Sequence, residues 1–285
     1  MRLFSIAGAR HYCNSFQPKL GIAEHSPDDF RDARLQSQHT VAEGTSLFDE
    51  YRACALRDAE RSLFLASSHY RRSLDLMIAS SSHWAQVTLY YGAFYAARAL
   101  LGMFGCAVLH RHVVHVSRSR PGSQELSVDR IGSRSGQYYV TETGSHRKFW
   151  EIFYFTVRPV VRLVDVRFAT ALSPVSSSNT WLIEQRNSVN YKTEVSIDVV
   201  ESFGNTFTES DFPDSLPGTL QTQFKVSEGI LAASCSFARR FGLQTDALSF
   251  LGSTTSFADL VEDHIYQPGL PDLVDKTNRR DVFGI

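Results

Sequence analysis

Arg186-Asn187-Ser188-Val189-Asn190-Tyr191 is the short stretch whose side chains are best suited to chemistry. Its neighbours Trp181 and Glu184 place it on a helix, where Arg186 and Asn190 share one face and Asn187 and Tyr191 the next. A guanidinium forks onto phosphate or carboxylate oxygens. The same residues also suit a purely structural role. Arg186 would then pair with Glu184 or another nearby acid, and Tyr191 would pack its ring and bond through its hydroxyl.

A second constellation lies at His110, Arg111, His112 and His115, followed by Arg118 and Arg120. On a strand, His110 and His112 point to one face and His115 to the other. Two imidazoles begin a zinc site, but a third and fourth ligand are not evident nearby, and no metal is expected. With their flanking arginines they suit a basic surface touching RNA phosphates, through Arg111, His112, Arg118 and Arg120. A solvated hairpin is the competing reading. Two further histidines have relevant positions: His39, spaced as Arg34-x4-His39, and His69, near the end of a long helix. No Gly-rich phosphate loop, GxSxG elbow, HExxH or deaminase-type motif occurs, and no cofactor is expected.

The element around which the rest must pack runs from Trp84 to Leu109. Arg98 is its only charge. Trp84, Val87, Tyr91, Phe94 and Leu101 form one helical stripe, and Tyr90, Ala93, Ala97, Leu100 and Phe104 a second. A helix apolar on nearly every side is central to a bundle or spans a membrane. Arg98 at mid-segment, the polar Gln86 and Thr88, and several tyrosine hydroxyls favour the bundle. Arg98 itself needs a partner there and is expected to form a structural ion pair.

Before this segment, Leu56, Ala59, Leu63, Ala66, Tyr70, Leu74 and Met77 recur at helical spacing. They predict a long amphipathic helix from about Thr45–Ser46, with Ser46 as cap and acids in its first turn. Ser80-Ser81-Ser82 turns the chain into the central helix, and Gly105 ends that helix. CAVLHRHVVHV then reads as a strand, SRSRPGS as a turn followed by a short ELSVDRI run, and QYYVT as a second strand. A β-hairpin or small sheet at about 106–142 is expected. Helix resumes after Ser145 until Pro159 kinks or ends it. A helix carrying WLIEQRNSVNYKT follows, capped by Ser177 or Ser178. Another at 219–241 has Phe224, Ile230, Leu231, Cys235, Phe237 and Phe241 as buried positions and Gly242 as C′ residue. A shorter helix is expected at about 245–264, and the tail reads as surface wrapping. Residues 1–44 show no sustained periodicity and read as an arm or cap, and 194–285 as a C-terminal helical extension.

The totals fit a soluble globular chain: 43% hydrophobic, 21% charged and a net charge of −1. That balance hides an asymmetry, since residues 106–170 are basic and residues 194–285 acidic. Arginine carries most of the positive charge, which suits planar phosphate or carboxylate contacts and equally a coding bias. Cys13, Cys54, Cys106 and Cys235 are far apart with no CxxC pair, so a reduced, cytoplasmic protein is expected. The apolar run in MRLFSIAGARHYC is too short and broken for a secretory signal.

A long amphipathic helix, then YYGAFYAARALLGMFG, then a later helix with RNxxNY, resembles the HEPN superfamily. Residues 46–104 and 177–193 carry the resemblance. It implies a mainly α fold, a compact helical bundle that here would carry the β-insertion and the C-terminal extension. It also implies a homodimer and, in many members, metal-independent cleavage of RNA in prokaryotic defence or toxin systems. In active members an arginine, usually with a polar residue next, is followed four to six positions later by histidine. The arginine stabilises charge developing on phosphorus, and the histidine moves a proton between the 2′-hydroxyl and the leaving oxygen. Arg186 and Asn187 match, whereas the histidine position is Tyr191. A phenol, with a reference pKa of about 10, is a poor base at neutral pH. The expected function is therefore an endoribonuclease acting on single-stranded RNA, with Arg186, Asn187, Asn190 and Tyr191 as site residues. The alternative is a non-catalytic module binding RNA, a nucleotide or a protein partner. A scaffold or antitoxin-like subunit is a third, and a cognate antitoxin or defence-system subunit is an expected partner.

Overall fold

The computed structural model describes residues 5–14, 26–35, 40–79, 81–110, 112–118, 122–131, 145–157, 180–192, 194–195, 218–241 and 243. In order these form α1 (Ile6–Asn14), α2 (Pro27–Arg34), β1 (Thr40–Ala42), α3 (Ser46–Ile78), α4 (Ser82–Met103), β2 (Cys106–Val108), β3 (His112–Arg118), β4 (Glu125–Arg130), α5 (Ser145–Thr156), α6 (Trp181–Tyr191) and α7 (Gly218–Arg240). The fold is mainly α with a small antiparallel sheet.

Thr45, one residue before the expected Ser46, caps α3 by accepting from the Phe48 amide at 3.3 Å. The whole stripe from Leu56 to Met77 is buried, as its periodicity requires. α4 runs back along α3, and small residues let the two backbones close up. A Cβ on Gly102 would meet the Ala59 Cβ at 2.9 Å, and one on Gly92 would lie 3.3 Å from the Tyr70 nitrogen. Gly105 ends α4 as expected, with φ 68°.

The second α4 stripe, Tyr90, Ala93, Ala97, Leu100 and Phe104, is fully buried. The first is covered less evenly: Leu101 and Val87 are buried, Tyr91 and Phe94 half-buried, and Trp84 is 56% exposed. Trp84 lies in the first turn of α4, where Ser82 and Ala85 take the buried face. Among the described residues no helix is long and apolar enough to cross a membrane.

α7 lies against α4 and buries all six of its anticipated core positions. Two polar bonds fix its register: Gln223 Nε2 donates to the Gln86 carbonyl at 3.0 Å, and the Ser234 hydroxyl to that of Ala96 at 2.8 Å. Gly242 and the stretch expected to be helical at 245–264 lie outside the described residues. So do QYYVT, Pro159, Ser177 and Ser178.

The sheet has the order β1-β4-β3-β2, antiparallel throughout. The run expected as one strand, CAVLHRHVVHV, is a tight hairpin. Cys106 pairs with His115 and Val108 with Val113, so His110 sits in the turn and not on a strand face. ELSVDR supplies β4.

The first 44 residues, read as an arm or cap, contribute two helices and an edge strand. Tyr12, Ala9 and Cys13 of α1 are buried, and Cys13 Sγ donates to the Met103 carbonyl at 3.4 Å. α2 opens with a reciprocal capping box between Ser26 and Asp29 and with Pro27 in its first turn. Its Phe30 ring packs on Tyr51 at 5.8 Å. Gln124 joins these parts, its amide nitrogen donating to the Gly8 carbonyl at 2.9 Å and its backbone N–H to Glu43 at 2.8 Å. All four cysteines are buried free thiols.

Candidate functional site

α6 packs against α4 and buries Leu182, Ile183 and Val189. That packing turns Arg186 toward α4. Its guanidinium carbon stands 5.0 Å from the centre of the Tyr90 ring, a cation–π distance. Nε and Nη2 both donate to Asn187 Oδ1, at 3.1 and 2.6 Å. Glu184, the acid expected to neutralise it, instead accepts from the Thr180 hydroxyl at 2.6 Å. Among the described residues no carboxylate forms an ion pair with Arg186. The cation is thus braced by a neutral amide and an aromatic face, and Nη1 makes no hydrogen bond within the described residues.

Tyr90 connects Arg186 to a residue the sequence had not marked. The Trp150 indole N–H donates to the Tyr90 hydroxyl at 3.1 Å, and that hydroxyl lies 2.7 Å from His146 Nδ1. α5 presents His146, Phe149 and Trp150 on one face through i, i+3 and i+4 spacing. α4 answers with Tyr90, Tyr91 and Phe94. The His146 ring centre lies 4.9 Å from that of Phe94 and 6.3 Å from that of Tyr91, and Phe94 packs on Phe149 at 4.5 Å. The imidazole is therefore walled by aromatic rings, tied at Nδ1 and half-buried.

Electrostatics sharpen the assignment. Burial, and then the Arg186 charge, hold His146 below the ordinary histidine value of 6.5, so at neutral pH the imidazole is uncharged. Burial pushes the Tyr90 phenol up to about 12, against the opposing pull of Trp150 and Arg186, so it remains a neutral hydroxyl. A fixed cation, a neutral imidazole and a neutral phenol can bind an oxyanion and move a proton beside it.

The second half of RNSVNY lies at the surface. Asn190 is exposed and Tyr191 is 75% exposed. Tyr191 lies about 140° round the helix from Arg186. Arg186 and Asn187 are thus together, and Asn190 and Tyr191 are on the outer surface.

The histidine cluster does not converge. His115 is buried in the sheet with Nε2 2.9 Å from Asp129 Oδ2. His112 is half-buried, its Nε2 3.1 Å from Arg31 Nη2. His110 is exposed in the turn, its backbone N–H facing Asp28 at 3.4 Å. Among the described residues no group of three His, Cys, Asp or Glu side chains could hold a metal ion. Arg118 ends β3; its side chain, Arg111 and Arg120 lie outside the described residues.

Of the other candidates, Arg34 pairs with Glu50 at 3.0 Å, and His39 lies outside the described residues. His69 stacks flat on Tyr95, ring centres 5.4 Å apart and 8° from parallel, and burial lowers its pKa. Arg98 forms the structural pair expected of it, with Asp58.

His146 carried one usable signal in the sequence: it opens a helix whose i+3 and i+4 residues are aromatic. Nothing in the linear spacing brings it to Arg186, because the two are joined through Tyr90 on a third helix. Comparison with protein families, with curated proteins and with solved structures finds no match for this chain.

Proposed function

We propose that this chain binds single-stranded RNA at Arg186 and cleaves it without a metal ion, as a HEPN-type endoribonuclease. One observation carries the reading: the Arg186 guanidinium is held on the Tyr90 ring and by Asn187, with no acid pairing it among the described residues. A partly shielded cation held in that way can take an anion as a further partner. A phosphodiester supplies one with oxygens spaced for a guanidinium fork. The resemblance of residues 46–104 and 177–193 to the HEPN superfamily supplies the remainder of the reading. That remainder is a cytoplasmic homodimer in a prokaryotic defence or toxin system, with a cognate antitoxin or defence subunit as partner. Arg111, His112, Arg118 and Arg120 would extend the phosphate contacts along the basic segment.

A second reading is favoured by Tyr191. The position where the family's motif carries histidine holds an exposed phenol turned away from Arg186. A module that binds RNA and does not cut it fits that substitution.

Labelled single-stranded RNA incubated in EDTA with wild type, Arg186→Ala and Tyr191→Phe separates the two. Cleavage by wild type, lost in Arg186→Ala, is expected. Tyr191→Phe should cleave like wild type, because its hydroxyl lies on the outer surface. Retained RNA binding with no cleavage by any of the three would establish the binding module.

A further inference from the structure

We propose that His146 is the proton-transferring residue of the Arg186 site and that Tyr90 positions it. The proposal rests on the reading of Arg186 as the phosphate-holding group. It supplies the acid–base function that Tyr191 cannot.

Three features of the geometry support it. His146 is bonded at Nδ1 by the Tyr90 hydroxyl, and Nε2 makes no hydrogen bond within the described residues. Its ring is fixed by packing against Phe94, Tyr91 and Tyr90, which sets where that nitrogen lies. Tyr90 also carries Arg186 on its face, so one side chain sets the positions of both the cation and the imidazole.

Tyr90 Oη already accepts from the Trp150 indole, a group that can only donate. The bond to His146 can form with either tautomer, and in one of them the second lone pair of the phenol oxygen accepts an Nδ1–H. In that tautomer Nε2 carries the free lone pair. When Nε2 gains a proton, the Nδ1–H bond to Tyr90 stabilises the imidazolium formed.

The step then balances as follows. Nε2 takes the proton of the ribose 2′-hydroxyl, and the 2′-oxygen forms a bond to phosphorus. The P–O5′ bond breaks, and the 5′-oxygen leaves with its electron pair and takes a proton from water. The products are a 2′,3′-cyclic phosphate and a 5′-hydroxyl, and the imidazolium returns its proton to solvent. Arg186 meets the charge on the non-bridging oxygens. Two other described histidines are engaged elsewhere: His115 with Asp129, and His69 in its stack on Tyr95.

The test measures cleavage of labelled single-stranded RNA in EDTA from pH 5 to 9 by wild type, Arg186→Ala, His146→Ala, His146→Gln and Tyr90→Phe. RNA binding and thermal unfolding are followed for each. His146→Gln keeps a polar partner for Tyr90 and guards against a folding defect in the alanine variant. Expected are a loss of about 100-fold or more in both His146 variants with RNA binding retained, and partial rescue of His146→Ala by added imidazole. The wild-type rate should fall on the acid side with protonation of a group below 6.5, a limb absent from the residual activity of the variants. Tyr90→Phe should lose part of the activity and move that limb, because the hydroxyl that bonds Nδ1 is gone. Wild-type cleavage that Arg186→Ala abolishes and folded His146→Gln retains, with the pH profile unchanged, would overturn the role of His146 and leave the nuclease reading standing. No cleavage by wild type overturns both.

Discussion

Arg98 meets Asp58 fork to fork, Nε to Oδ2 at 2.8 Å and Nη2 to Oδ1 at 2.9 Å, across the α3–α4 contact. Arg186 has no such acid among the described residues. The two arginines therefore differ in what their removal should do. Asp58→Ala or Arg98→Ala leaves a partly shielded charge unpaired and should cost about 2 kcal/mol. The double variant should cost less than the sum by about 1 kcal/mol. Arg186→Ala breaks no ion pair among the described residues and should cost about 1 kcal/mol or less. Urea unfolding of the four variants measures all three quantities. A loss in Arg186→Ala as large as that in Asp58→Ala would make Arg186 a structural residue.

Gly102 tests how closely α3 and α4 approach. Alanine is the better helix former by about 1 kcal/mol, so propensity alone predicts that Gly102→Ala stabilises. Contact decides the opposite sign, because the new Cβ would stand 2.9 Å from the Ala59 Cβ, a methyl on a rigid helix. A net loss of about 1–3 kcal/mol is expected, with partial recovery in Gly102→Ala/Ala59→Gly. Gly92→Ala, at 3.3 Å, should lose less. Thermal unfolding gives the order.

These two contacts show what could be read ahead. The apolar stripes of α3, α4 and α7 repeat over many turns, and such periodicity survives tertiary packing, so their core positions emerged as expected. Arg98, an isolated charge among apolar residues, announced its need for a partner. The short elements did not announce themselves. α1 and α2 span 9 and 8 residues and bury few side chains each, so no period had room to form. The β2–β3 hairpin was hidden because Leu109 and His110, which follow β2, fit the alternation of the flanking strands. Half of the RNSVNY motif converges and half does not, because the helix places Arg186 inward and Tyr191 outward. The link from His146 to Arg186 was hidden for another reason: the shared partner Tyr90 is more than fifty residues from either, a contact only the bundle creates.

Acid should weaken the fold through two shielded histidines. His69 and His146 both have folded pKa values below the ordinary 6.5, chiefly through burial. Between those folded values and 6.5 the unfolded chain binds more protons, so stability falls as pH falls. Their contribution is fully present above 6.5 and is lost as pH drops through the folded values. Glu43 acts in a lower window. Burial pushes its pKa up, but bonds from the Gln124 N–H and His11 outweigh this and hold it below 4.5, so its contribution goes as pH falls beneath that value. The urea midpoint should decline from pH 7.5 to pH 5, and less steeply in His69→Gln and His146→Gln. A flat midpoint over that range would show that neither ring is shielded as the packing requires.

The link between Arg186 and His146 can be measured without any reaction. A cation near an imidazole disfavours its protonation, and Arg186 is the charge that lowers His146. Arg186→Gln should therefore raise the His146 pKa toward 6.5 while burial keeps it from arriving there. His69, lowered by burial alone, should not move. By the same linkage, an anion seated on Arg186 screens the charge and should also raise His146. Inorganic phosphate and a short RNA whose 2′-hydroxyls are replaced by hydrogen are suitable probes, since neither can react. NMR titration of the two imidazole rings, in wild type and Arg186→Gln, reads both effects. His146 moving with the anion in wild type and not in Arg186→Gln is the expected pattern. A His146 pKa indifferent to both the substitution and the anion would mean that the two residues do not share a site.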